Sequence, residues 1–294
     1  MIVERAVQNP IITPADVAPS RAGYKVVGAF NAGAIAFDDE ILLLLRVAEC
    51  PEDTASEECV APIYDPASRE IRCVRVSKDD SEVKVNDSRS FTYRGNLLLT
   101  SISHLRLARS RDGIHFDIAP SPAVFPETDY ETYGLEDPRI TFIRGDAYYI
   151  AYKAVSESGI CAALLRTTDF VRFERMGRML CPENIDVALF PERIGDYYYA
   201  LTRPVPFYIG PRGVWLARSP DLIHWGGHAP LVPPRPGGFD GGKTGGSCVP
   251  IKTKDGWLEI YHGSDEDDRY SLAVVLLDLN DPYRVIARSK SPIL

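Results

Sequence analysis

One segment of this chain recurs four times, and that recurrence constrains the fold more than any other feature. It reads Leu107-Ala-Arg-Ser-Arg-Asp-Gly-Ile-His-Phe116, then Leu165-Arg-Thr-Thr-Asp-Phe-Val-Arg-Phe173, then Leu216-Ala-Arg-Ser-Pro-Asp-Leu-Ile-His-Trp225. A weaker copy follows at Leu276-Leu-Asp-Leu-Asn-Asp-Pro-Tyr-Arg-Val285. The copies start 58, 51 and 60 residues apart. In each, an apolar run turns at an acidic residue and an aromatic or apolar residue follows. Upstream of each copy lies a hairpin pattern, two β-branched or aromatic runs joined by a turn signal. The hairpins are Ala34–Phe37 with Ile41–Arg46, Ile140–Ile143 with Ala147–Tyr152, Phe190–Ile194 with Tyr197–Thr202, and Val249–Thr253 with Trp257–His262. A hairpin plus a further strand at a period near 50 is the signature of propeller blades, so an all-β propeller is expected. A β-sandwich is the alternative architecture. A propeller must close its ring, since an open edge strand invites aggregation. Either the N-terminal residues complete a fifth blade or the natural chain continues past Leu294. The first hairpin is separated from its third strand by a charged stretch at about 48–96, expected to be an insertion at the rim of a single catalytic domain spanning 1–294.

Charge narrows the function classes. With 33 Lys and Arg against 41 Asp and Glu, the formal net charge is −8. An acidic surface disfavours nucleic acid and membrane, which are polyanions. The N-terminus has no signal-peptide pattern, and the longest apolar run, Ile41–Leu45, is too short to cross a bilayer. The six cysteines have no CxxC or metal spacing, which fits reduced thiols and a cytoplasmic location.

The residues that carry chemistry sit at matched places in the repeat. Gly134-Leu-Glu-Asp-Pro-Arg139 precedes the second hairpin, and Pro138 is expected to hold Asp137 and Arg139 in one extended geometry. Neighbouring carboxylates followed by Arg form a site in which one acid can be tuned, and a solvated turn with a surface ion pair is the bland alternative. Asn184-Ile-Asp186 precedes the third hairpin and Arg203 ends it. Lys243-Thr-Gly-Gly-Ser247 precedes the fourth, and Tyr261-His262-Gly263 ends it. Asn31 and Arg46 hold the equivalent places in the first. Repeat symmetry would gather these residues around one pocket. Arg203, Lys243 and His262 offer a planar fork, a point charge and a tunable donor, a set suited to phosphate. Tyr133, Trp257, Tyr261 and Tyr270 are candidates for stacking on sugar rings, with core packing as the competing role.

These blocks together resemble glycoside hydrolase family 130, the β-mannoside phosphorylases and their hydrolytic relatives. The resemblance covers nearly the whole chain. It rests on Asn9-Pro-Ile-Ile-Thr-Pro14, Gly28-Ala-Phe-Asn-Ala-Gly33, Leu43-Leu-Leu-Arg46, Ser103-His-Leu-Arg-Leu-Ala-Arg-Ser110, Gly134–Arg139, Ala188-Leu-Phe-Pro-Glu192, Arg203-Pro204 and Gly256–Gly263. It implies a five-bladed β-propeller and an inverting phosphorylase that cleaves β-mannosides to α-mannose 1-phosphate. Inorganic phosphate is then the co-substrate and nucleophile, with no cofactor and no metal. The general acid falls on Asp137, acting through a sugar hydroxyl. The phosphate ligands fall on Arg203, Lys243, His262 and Tyr270. Sugar contacts fall on Asn31, Arg46, Glu136, Arg139 and Asp186. The expected partners are a β-mannoside disaccharide or oligosaccharide and phosphate, with homo-oligomerisation as a further expectation. Two departures stand out. Ile185 occupies a position that is often basic in the family, and the family usually continues for several dozen residues past the equivalent of Leu294. The competing functions are an inverting β-mannosidase, with Asp186 or Glu136 as the base for water, and a non-catalytic sugar-binding module.

Overall fold

The structure is a computed structural model and describes residues 5–294. The chain is all-β: apart from one 3-10 turn at Pro14–Asp16, every regular element among the described residues is a strand. It divides into two compact units, one containing Gln8–Pro138 with Ala154–Gly159, the other Arg139–Lys153 with Ile160–Leu294.

In the first unit, β1 (Tyr24–Phe37) and β2 (Glu40–Pro51) form a long antiparallel hairpin. Two small sheets follow, β3 (Glu58–Asp65) with β4 (Glu70–Ser77), and β5 (Val83–Asp87) with β6 (Ser90–Tyr93) and β7 (Asn96–Leu99). The chain then returns to the main sheet. β8 (Ile102–Ser110) pairs along all of β2 from Ile41↔Ser110 to Glu49↔Ile102, and β9 (Asp117–Ile118) pairs with β8. Val17, Leu45, Val47 and Ala108 form a buried cluster beside this meander. β10 (Gly134–Phe142) begins in this unit, touching β8 in parallel at Gly134↔Ser103.

The second unit carries the remainder of β10, most of β11 (Tyr148–Ser156) and β12 (Gly159–Thr167), and β13 (Glu174–Leu180), hydrogen-bonded in that order. A four-stranded meander comes next: β14 (Asn184–Leu189), β15 (Tyr198–Pro204), β16 (Val214–Ser219) and β17 (Gly226–Val232). The last sheet orders β18 (Lys243–Gly246), β20 (Trp257–Ser264), β21 (Tyr270–Leu277) and β22 (Val285–Arg288), with the short β19 (Ile251–Lys252) pairing with β20. Alternate burial along β20 turns Trp257, Glu259 and Tyr261 inward. Phe190 meets Trp257 edge to face at 5.2 Å, an arrangement that adds about 1 kcal/mol to the burial of the two rings.

The recurring segment is the third strand of each meander and the turn that ends it. In the first copy Asp112 Oδ1 accepts the main-chain N–H groups of Ile114 (2.9 Å) and His115 (2.8 Å). Asp169 does the same for Val171 and Arg172, Asp221 for Ile223 and His224, and Asp278 for Asn280 and Asp281. These turns need an acceptor two residues before the N–H groups, which only a short side chain such as Asp supplies. Repetition of the Asp is therefore repetition of a turn.

The four expected hairpins form, but the motif residues lie in the first strand of each and not before it. Gly134–Arg139 is inside β10, Asn184–Leu189 is β14, and Lys243–Gly246 is β18. Nor is Asp137 extended: its φ is 49°, in the left-handed region, as are Asn31 (49°) and Asp186 (53°). The ladders slip at two of these points, between Phe30 and Gly33 and between Ile185 and Ala188. Each is a bulge, which breaks strand alternation and aims one side chain away from the pleat. Asn and Asp tolerate a positive φ better than other side chains, which lets Asp137 depart from the extended backbone usual for a pre-proline residue.

Candidate active site

Each unit holds one constellation of the predicted residues. In the first, the bulge at Asn31 and the ladder position of Arg46 put both side chains on Asp137. Asn31 Nδ2 donates to Asp137 Oδ1 at 2.9 Å, and Arg46 Nη1 donates to the same oxygen at 3.1 Å. The other guanidinium nitrogen, Arg46 Nη2, donates to Glu136, and Arg46 Nε reaches Ser103 Oγ at 3.4 Å. Both acids are 8% exposed. One guanidinium thus serves two carboxyl groups, and a single added proton makes the trio neutral. Such a pair of acids suits a proton donor beside a fixed anion. Arg46 is a cation that holds both, and the charge of Arg139, a residue of the second unit, acts there on Glu259 and His262.

Phe30, which sequence reasoning passed over, completes this constellation. It is paired directly opposite Arg46, so the two side chains share a face, and Arg46 Cζ lies 4.7 Å from the ring centroid. The ring is 41% exposed, and it lies back over Gly28, where any Cβ would stand 2.1 Å from its edge. An exposed aromatic face beside polar groups is suited to a sugar ring.

The second constellation is built by register. Gly245 pairs with His262, Lys243 with Ser264, and Ser264 with Tyr270. With a side-chain period of two, Lys243, Gly245, His262 and Tyr270 all belong to one face of the sheet. His262 and Tyr270 rings are 5.8 Å apart, and Lys243 Nζ is 4.8 Å from the Tyr270 centroid. Lys243 also pairs with Asp268 at 2.7 Å. Burial opposes its charge, but hydrogen bonds to Asp268 and Tyr270 hold the ammonium above its ordinary range. Arg203 Nη1 stands 3.5 Å from His262 Nε2, and Arg203 Nε lies 2.9 Å from Asp186 Oδ2. The backbone of Arg203 is fixed by Asn184 Oδ1, which accepts its N–H at 3.2 Å. Gly245 keeps the middle of this cluster open. A Cβ there would stand 2.3 Å from Asp186 Oδ2 and 2.6 Å from the His262 ring.

His262 titrates far from its ordinary range. Burial, reinforced by the Arg203, Arg139 and Lys243 charges and only partly opposed by Asp186, pushes it down to about 4. Its folded pKa is depressed, so between about 4 and 6.5 the unfolded chain binds a proton that the folded protein does not. The stabilisation is complete above 6.5 and is lost as pH falls through the folded value. A shift of this size is worth about 3 kcal/mol. Urea unfolding at pH 7 and pH 4 is expected to show a loss about 3 kcal/mol smaller in His262→Gln than in the natural protein. Equal losses in the two proteins would show that His262 is not the group responsible.

Three of the four aromatic candidates are core. Tyr133, Tyr261 and Trp257 are 3%, 0% and 0% exposed. Tyr261 Oη donates to Asp240 Oδ2 at 2.8 Å, and Trp257 Nε1 donates to the Leu279 carbonyl at 3.2 Å. Tyr270, 61% exposed, is the one available for contact with a ligand. Ile185 pairs directly with Arg203, so its side chain shares that face. Among the described residues no helix is long and apolar enough to cross a membrane.

A family model described as beta-1,4-mannooligosaccharide phosphorylase, that of glycoside hydrolase family 130, matches residues 73–294. The chain is 45% identical over 298 residues to the beta-1,2-mannobiose phosphorylase of Listeria innocua, covering all of this chain and 84% of that protein. It is 42% identical over 198 residues to a 1,2-beta-oligomannan phosphorylase of a Thermoanaerobacter species, covering 66% of this chain and 64% of that protein. The Listeria innocua enzyme solved in complex with beta-1,2-mannobiose superposes with a TM-score of 0.93 at 46% identity, over 99% of this chain and 83% of that one. A glycosyl hydrolase from Bacteroides ovatus shares the fold at a TM-score of 0.73 and 19% identity, over 99% of this chain and 81% of that one. The chain belongs to glycoside hydrolase family 130.

Proposed function

We propose that this chain is an inverting β-mannoside phosphorylase that transfers a mannosyl group to inorganic phosphate and releases α-mannose 1-phosphate. The observation that carries the reading is the gathering of Arg203, His262, Lys243 and Tyr270 around the space kept open by Gly245. Two cations, Arg203 and Lys243, meet here, each beside a carboxylate, with the His262 ring between them, and phosphate matches the fork of Arg203 and the point charge of Lys243. Phosphate so held attacks the anomeric carbon from the face opposite the leaving group. Asp137 supplies the proton that neutralises the departing oxygen, relayed through a sugar hydroxyl, so no second catalytic acid is needed. Asn31, Arg46 and Glu136 hold Asp137 and bind the mannosyl unit, with Arg139 and Asp186 as further sugar contacts. A β-1,2 linkage is favoured over β-1,4, because the relative matching the whole chain at 45% identity is a β-1,2-mannobiose phosphorylase.

The same reading extends to the architecture. The meanders β14–β17 and β18–β22 have the strand order of propeller blades, which supports one five-bladed catalytic propeller with residues 48–96 as a rim insertion. No cofactor is invoked beyond phosphate, and the enzyme acts in the cytoplasm, as a homo-oligomer, without nucleic acid or membrane.

Substitution of the basic residues tests the phosphate site. Lys243→Ala is the cleanest variant, because its partner Asp268 is 78% exposed at the side chain and needs no replacement for the lost charge. Removal of one charge-assisted hydrogen bond, worth about 1.5–3 kcal/mol, should raise KM for phosphate about tenfold or more. The KM for mannoside should change little. Arg203→Ala strands Asp186, whose side chain is 7% exposed, and is expected to cost stability as well. Equal loss on both substrates in Lys243→Ala would remove Lys243 from the phosphate site.

A further inference from the structure

Beneath the phosphate face lies a carboxyl group that no step above uses. Glu259 is on β20, between Trp257 and Tyr261, and is completely buried. It belongs to the face opposite His262, since the two are three residues apart in a regular strand. Its Oε1 accepts the main-chain N–H of Ser247 at 3.3 Å, and the Cys248 N–H also contributes. Its Oε2 has no hydrogen-bond partner. Ser247 leaves the end of β18 and spans both faces of the sheet. Its N–H is shared between Glu259 and the Ile260 carbonyl (3.1 Å), while its Oγ stands 3.1 Å from His262 Nδ1. The other His262 nitrogen, Nε2, faces Asp186 Oδ2 at 3.4 Å and Arg203 Nη1 at 3.5 Å.

We propose that Glu259 is a positioning residue for the phosphate site, fixing the Ser247 main chain from beneath the sheet so that Ser247 Oγ holds the His262 ring in its orientation and tautomer. Burial pushes the Glu259 carboxyl well above the ordinary range, more than the nearby N–H groups and the Arg139 charge pull it down. The contact the proposal needs is the one Oε1 makes, accepting the Ser247 N–H, and that oxygen is an acceptor in either protonation state.

The proposal rests on the phosphorylase reading, and its first test avoids turnover altogether. In ligand-free protein, ¹⁵N chemical shifts of His262 report its tautomer. Glu259→Ala and Ser247→Ala should both shift the Nδ1/Nε2 balance, and Glu259→Gln, whose amide oxygen accepts the same N–H, should keep the natural pattern. In kinetics, Glu259→Ala and Ser247→Ala should each raise KM for phosphate about tenfold, the effect of one lost hydrogen bond, with mannoside KM unchanged. The double variant should be no worse than either single one, because both act through one side chain. If Glu259→Ala does not fold, Glu259→Gln and Ser247→Ala carry the test alone. Glu259→Gln behaving like a loss of function, or an unperturbed His262 in Ser247→Ala, would overturn the proposal. If the natural protein fails to bind phosphate while the His262 shifts behave as described, the functional reading falls and the positioning role stands.

Discussion

Asp137→Asn is expected to lower turnover by about 10²–10⁴-fold, the usual contribution of a positioned acid, while leaving the fold and KM for phosphate close to natural. The change is nearly isosteric and keeps an acceptor at the position of Oδ1, so Asn31 and Arg46 retain a partner at 2.9 and 3.1 Å. It also keeps a short polar side chain at φ 49°, where Asn is tolerated as well as Asp, so the backbone is not strained further. What it removes is the exchangeable proton. That corresponds to about 3–5 kcal/mol of transition-state stabilisation, and it should appear in kcat. Glu136→Gln is the natural control: it preserves the acceptor for Arg46 and should cost much less. A near-normal kcat for Asp137→Asn would remove Asp137 from the mechanism, and a large loss of thermal stability would assign it a structural role instead.

The distribution of what could be read in the sequence follows from locality. Hairpins and the repeated turn depend on residues within about ten positions, and the Asp at each turn announces itself because its hydrogen bonds are made two residues away. The cluster around Gly245 was accessible through the repeat, since equal offsets in successive meanders place side chains on equivalent faces. The local backbone was not. Pro138 points to an extended Asp137, whereas the folded backbone holds it at a positive φ. Tyr133, Tyr261 and Trp257 were ambiguous because an aromatic residue serves a core and a sugar site equally well, and burial alone separates the two. Phe30 sits in a motif block beside Asn31, yet its value depends on Arg46, sixteen residues on, and on the vacancy above Gly28. Glu259 carried no signal of any kind. A single Glu in an alternating strand reads as solvent-facing, and its depth is set by the sheets that pack against β20.

Ile185 is the one departure that bears on reaction type. It is directly opposite Arg203 and shares its face, so an apolar side chain there adds no charge beside Arg203, His262 and Lys243. The hydrolytic alternative would need a carboxylate base for water. Its two candidates are each committed to a guanidinium, Asp186 to Arg203 and Glu136 to Arg46. Asp137 is held by the same Arg46, so pairing with a guanidinium does not by itself separate a bound anion from water as the nucleophile.

That choice is decided by the products. The purified protein is incubated with β-1,2-mannobiose, with and without inorganic phosphate, and the sugars released are quantified. Phosphorolysis predicts α-mannose 1-phosphate and mannose in equal amounts when phosphate is present, and almost no cleavage when it is absent. The effect of omitting phosphate should therefore be close to all-or-none, because the nucleophile itself is missing. Two equivalents of free mannose per bond cleaved, at a rate indifferent to phosphate, would contradict the account.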